Sequence, residues 1–206
     1  MFMDFFQPSW NVHDEVKALK GLEQICDGEL ISVVVSARHI SVRKKAVDRL
    51  FDVDFLVKIA NDEKQHCVVR EAANNKIAKL SSNYKLAKTA IDKITDSETL
   101  KTIVNDSKSE DIAYAALEKI TDSKKLVDII KNIESINCIK HAQIYENGRY
   151  CKDDIKRRIC ETSIGKIPTK VLIDIVKNTK NFSDDVRLIA VYQLIDPAQK
   201  VSLKIS

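Results

Sequence analysis

The chain has 206 residues, 44% of them hydrophobic, with 34 basic and 30 acidic side chains for a net charge of +4. Four glycines and three prolines supply too little punctuation for an all-β protein, and no apolar run approaches the roughly 20 residues of a membrane-spanning helix. So small an excess of positive charge does not by itself mark a nucleic-acid binder.

Reading from the N-terminus, MFMDFFQPSW is apolar but has Asp4 and Pro8, and it lacks a basic leader and a small-residue cleavage site. The expectation is an N-terminal cap over 1–15, in which Phe2, Phe5, Phe6 and Trp10 cover the first hairpin. Three later stretches, 46–62, 90–106 and 116–132, are versions of one phrase, clearest in AIDKITDSETLKTIVND and ALEKITDSKKLVDIIKN. Each reads as the end of one helix, a turn at an acidic residue, and a second helix. Repetition at roughly 26 residues is the mark of stacked hairpins, because one hairpin cannot bury both of its apolar stripes.

The turn residues are Asp27, Asp52, Asp96, Asp122 and Pro168. Aspartate there is expected to accept backbone N–H bonds from the next helix, and proline suits a first helical turn. After the turns come Ile31, Val34 and Val35; Leu56, Ile59 and Ala60; Leu100, Ile103 and Val104; Leu126, Ile129 and Ile130; Leu172, Ile175 and Val176. This spacing is one helical stripe. Before the turns, a small residue recurs at Gly21, Ala46, Ala90, Ala116 and Ala190. Two places break the period. After Val69-Arg70-Glu71-Ala72-Ala73 no clean second helix follows, and helices are expected at 69–80 and 84–94 with a shortened connection. Residues 133–153 form an insertion, after which hairpins resume at 154–166 and 169–178. A last first-helix at 184–195 is followed by a C-terminal cap over 197–206.

The pattern V-R-x-x-A-V-x-x-L, a turn, then L-x-x-I-A-x-D, seen at 42–62 and partly at 69–77 and 186–194, resembles the short bacterial and archaeal HEAT-like repeats. The resemblance covers nearly the whole chain. It implies an all-α, right-handed α-α superhelix of about six to seven hairpins in a single domain over 1–206, with second helices lining a concave face. It also implies a ladder at Arg43, Arg70 and Arg187, each paired with an acid or carbonyl and interrupted at Ala87 and Ala113. Most members of the family are binding scaffolds, a minority are DNA-base glycosylases, and some are lyases that attach bilins.

Few motifs carry chemistry. No glycine-rich phosphate loop, G-x-S-x-G or H-E-x-x-H is present. Cys138-x-x-His141, with Cys151 and Cys160 beyond, has zinc-ligand types but matches no structural zinc spacing, and Cys160 falls on the repeating helix as core. Neither a cofactor nor a catalytic residue is assigned. His66 and Cys67 are adjacent, and on a helix their side chains are expected to diverge. Five cysteines without a framework point to reduced thiols and a cytoplasmic setting.

A DNA-tracking solenoid would repeat Lys or Arg along its concave face. The equivalent positions here read Lys58/Asn61, Thr102/Asn105, Asp128/Lys131 and Asp174/Lys177, with mixed sign and almost no aromatics to hold a flipped base. The reading is therefore a non-enzymatic, monomeric scaffold for a protein or peptide. Nucleic-acid binding with base excision is the alternative, and an accessory lyase or maturation factor the weaker one. Partner contacts are expected at Tyr145, Arg149 and Tyr150 in the insertion, at Lys156 and Arg157 in the cluster that follows it, and at Lys58, Lys131 and Lys177 on the concave face. Tyr and Arg are the types enriched at binding hot spots.

Overall fold

A computed structural model describes residues 7–140 and 151–195. Among them every regular element is helical: α1 Glu15–Glu23, α2 Leu30–Ser36, α3 Ile40–Arg49, α4 Val53–Asn61, α5 Cys67–Leu80, α6 Tyr84–Lys93, α7 Ser97–Asp106, α8 Glu110–Lys119, α9 Ser123–Lys131, α10 Asn137–Lys140, α11 Cys151–Ile164, α12 Thr169–Lys177 and α13 Asp184–Ile195. Short 3-10 turns at Ser9–Asn11, Asp27–Glu29 and Ile133–Ser135 join them. No helix among the described residues is long and apolar enough to cross a membrane. The chain divides into two compact units, 1–94 and 95–206.

The repeated acidic turns do the mechanical work expected of them. Asp52, Asp96 and Asp122 each stand at an N-cap and accept from the N–H of Phe55, Thr99 and Lys124 at 3.0, 2.7 and 2.8 Å. Pro168 holds the same position before α12. Hydrogen bonds from Thr99 hold the Asp96 carboxyl below its ordinary pKa. Asp27 is the exception. It lies inside a 3-10 turn, caps nothing, and binds the Arg49 guanidinium at 3.0 Å. The first stripe is shifted by one residue as a result: Leu30, Val33 and Val34 are buried, whereas Ile31 and Val35 are 41% and 54% exposed.

In the first unit α2 packs on α3, α4 on α5, and α3 on α5. The buried core runs from Trp10 and Leu22 through Val33, Val47 and Leu56 to Ile77 and Ala90. The Ser9–Asn11 turn lies on α1 so closely that a Cβ on Gly21 would stand 2.4 Å from the Ser9 carbonyl, which is why this slot is glycine where later repeats have alanine. Asn11 accepts from the Arg38 N–H at 2.8 Å, tying this turn to the start of α3. Phe2, Phe5 and Phe6 of the expected cap, like 197–206 at the other end, lie outside the described residues.

The first break in the period has a physical explanation in α5. Its first half repeats the first-helix pattern of α3: Val42, Arg43, Ala46, Arg49 and Leu50 are matched by Val69, Arg70, Ala73, Lys76 and Ile77. Its second half repeats the second-helix stripe of α7, with Asn74, Ile77 and Ala78 for Leu100, Ile103 and Val104, all buried. The turns that follow are alike too. Ser81 Oγ accepts from the Asn83 N–H, and Ser107 Oγ from the Ser109 N–H, both at 3.1 Å. One helix performs both duties, so no separate second helix exists there.

In the second unit α7 packs on α8, α9 on α7 and α11, and α12 on α13. The early part of the insertion is core: Ile133, Ile136, Cys138 and Ile139 are buried, and Asn137 donates to the Asp106 carbonyl at the end of α7 at 2.8 Å. α11 stacks on α8 despite the intervening sequence. Tyr114 Oη meets Thr162 Oγ1 at 2.7 Å, and Lys166 Nζ donates to the carbonyls of Leu117, Glu118 and Ile120.

Lys166 belongs to a ladder the sequence reading missed. Arg49 donates to Leu22 O and Ile25 O at 2.7 and 3.0 Å, and Lys76 to Asp48 O at 2.6 Å. Each cation caps the end of the preceding first helix, where unsatisfied carbonyls and the helix dipole both favour positive charge. The expected ladder is partial. Arg43 and Arg187 reach Ala37 O and Val176 O at 2.5 and 3.1 Å, but Arg70 Nε is buried with no hydrogen-bond partner. The connection before α5 is turned differently, with Lys64 N–H bound to the Asp62 carboxylate.

Candidate partner-binding groove

Between α11 and α13 lies a groove of about 400 Å³. It exists because α13 has more apolar residues than a single buried stripe requires. Val186 and Ala190 face the core, whereas Leu188 and Tyr192 are 52% and 63% exposed, with Ile195 beyond them at 73%. Leu188, Ile189 and Tyr192 make the apolar wall, and Cys160 lies on the α11 side. Burial pushes the Cys160 thiol up to about 12, so it is a packing group rather than a nucleophile. Cys138 is similarly buried and raised to about 11. Among the described residues no group of three or more His, Cys, Asp or Glu is placed to hold a metal ion. His141 and the Cys151 side chain lie outside the described residues.

The charges around this groove are largely spent. Glu134 binds Lys156, and Lys152 lies 3.8 Å from it. The Lys156 hydrogen bond holds the Glu134 carboxyl below its ordinary range, and Glu134 in turn raises Lys156. Arg157 reaches Asp154 at 3.3 Å and Glu161 at 4.0 Å. Arg158 pairs with Glu110 on α8 and lies 4.9 Å from the Tyr114 ring. The four cations that look like a basic cluster in the sequence thus all lie beside carboxylates, with Lys152 and Lys156 sharing Glu134. Two carboxylates of the groove, Asp153 and Asp185, have no ion-pair or hydrogen-bond partner among the described residues.

Of the residues singled out from the sequence, Lys156 and Arg157 line this groove. Tyr145, Arg149 and Tyr150 lie outside the described residues. Lys58 on α4, Lys131 on α9 and Lys177 on α12 are exposed, and Lys131 stands 5.8 Å from the Phe182 ring. On the adjoining second helices α7 and α9 the charges cross-pair: Lys101 meets Asp128 at 3.5 Å, and Lys125 meets Glu98. No basic stripe runs there. Asp185, Leu188 and Tyr192 were missed. Their signal was legible, since a helix apolar on nearly every side has one face without a neighbour.

His66 departs from expectation. It is the N-cap of α5, outside the helix, and its Nδ1 accepts from the Val68 N–H at 3.3 Å while lying 3.7 Å from Cys67 Sγ. The two side chains therefore converge instead of diverging. Cys26, Cys67, Cys138 and Cys160 are all free thiols.

Searches of protein-family models, characterised proteins and solved structures return no match to this chain.

Proposed function

We propose that this protein is a non-enzymatic, cytoplasmic scaffold that binds a protein or peptide, built as a HEAT-like right-handed superhelix of helical hairpins. The observation that carries the reading is the α11–α13 groove, an exposed apolar wall on a packed pair of helices beside cations that are already paired. A preformed apolar site limits the ordering cost of binding, and tyrosine beside leucine offers contact area at small entropic cost. The HEAT-like assignment is supported by the capped acidic turns, the buried second-helix stripes and the packing of first helix on first helix. Nucleic-acid binding is disfavoured by the mixed charge of α7 and α9, where Lys101 meets Asp128 and Lys125 meets Glu98, because phosphate tracking needs a run of free Lys and Arg.

The test is affinity purification of the tagged chain from its native host, with and without nuclease. A stoichiometric protein that stays bound after nuclease treatment is the expected result. Material that is released by nuclease would replace this reading with the nucleic-acid one.

A further inference from the structure

Resting on the peptide-binding reading, we propose that the α11–α13 groove selects a peptide segment carrying a basic residue next to large apolar side chains. The argument is charge complementarity on an apolar floor. Asp153 and Asp185 sit at the starts of the two helices, on the same groove, and neither has an ion pair or hydrogen bond among the described residues, Asp153 acting on Lys156 only at longer range. Carboxylates at helix N-termini are favoured by the dipole. Beyond them the wall formed by Leu188, Ile189 and Tyr192 is apolar. Lys156 and Arg157 offset this field only in part, because their close pairs are with Glu134, Asp154 and Glu161. An acidic or phosphorylated segment would meet these carboxylates and would have to break those pairs. A segment with Lys or Arg answers the two free charges, and leucine or an aromatic residue in the same segment covers the wall. The molecule as a whole is basic, so the preference runs against its net charge of +4. It is therefore a property of the groove.

The experiment is selection of a random 12-residue phage-displayed peptide library on the full chain, followed by titration of the enriched synthetic peptides against wild type, the double variant Asp153→Asn/Asp185→Asn, and Tyr192→Ala. Melting curves verify that the variants are folded. Enriched peptides are expected to carry Lys or Arg within a few positions of Leu, Phe or Trp. Their affinity should fall at least tenfold in each variant and weaken with added salt. Enriched peptides without basic residues, or with affinities the carboxamide variant leaves unchanged, would overturn the selectivity and leave peptide binding standing. No enrichment over a blank surface would overturn both. Concentration-dependent self-association of wild type that the variants abolish would assign the groove to a second copy of the chain, and the proposal would fall.

Discussion

At the scale of single residues, the cations at the ends of the first helices carry more than their sequence positions suggest. Lys166 is partly buried, and burial lowers its pKa, yet its ammonium donates to three carbonyls at the end of α8. Lys166→Met keeps the stem and removes those bonds. It should cost about 1–3 kcal/mol in urea melts, as loss of charge-assisted hydrogen bonds does. Lys177→Met, at an exposed site, should stay within about 0.5 kcal/mol of wild type. Gly21→Ala is the steric counterpart. Its methyl would meet the Ser9 backbone, so overpacking of about 1–3 kcal/mol is expected. Trp10 within that turn is the chain's single tryptophan, and a red-shifted emission would report its release. The role of Gly21 as a small-residue slot was readable from the repeats. The reason for glycine rather than alanine was not, because it depends on the approach of a turn from outside the repeating pattern.

At the scale of elements, the second-helix stripes are the best-read feature of the sequence. Ile103 and Ile129 hold the same slot in neighbouring repeats and are 0% and 1% exposed. Truncating either to Ala should cost about 2–5 kcal/mol by denaturant titration, and the double variant should be non-additive because α7 and α9 pack together. What periodicity did not reveal is instructive. In α5 two stripes of different phase are written over each other, sharing Ile77, so a search for one stripe finds a defect. In α13 the repeat pattern accounts for Ala190 and passes over Leu188 and Tyr192, which are exposed. The Lys152–Arg158 cluster looked basic because two of its acids lie far off in sequence: Glu134 is at the start of the insertion and Glu110 is on α8. Charge read along the chain is not charge read in space.

At the scale of the whole molecule, several carboxylates share one direction of shift. Asp14 and Asp96, capping α1 and α7, lie below their ordinary 3.8 through hydrogen bonds to Lys17 N–H and to Thr99. Glu98 and Glu134 lie below 4.5 through bonds from Lys125 and Lys156. The folded state therefore binds fewer protons than the unfolded state in this range. These groups contribute fully above about pH 4.5, and the contribution is lost as pH falls through the depressed folded values. Urea midpoints should be level from pH 6 to 7 and drop steeply below about pH 4. High salt should narrow the difference, since the ion pairs involved are exposed and screened.

The stacking of α11 on α8 has one more consequence. Lys166 and its carbonyl partners are 46 to 49 residues apart, whereas Arg49 and Leu22 are 27 apart. Loop-closure entropy grows only with the logarithm of length, and a doubling adds about 0.6 kcal/mol. The longer sequence separation of α8 from α11 thus costs less than that, a small fraction of one buried isoleucine. Distance along the chain between stacked first helices is therefore almost free thermodynamically, and α11 keeps its seat on α8 across it. Ten Gly-Ser residues added within 141–150 should leave the urea midpoint nearly unchanged, whereas the same addition inside α9 should collapse the second unit.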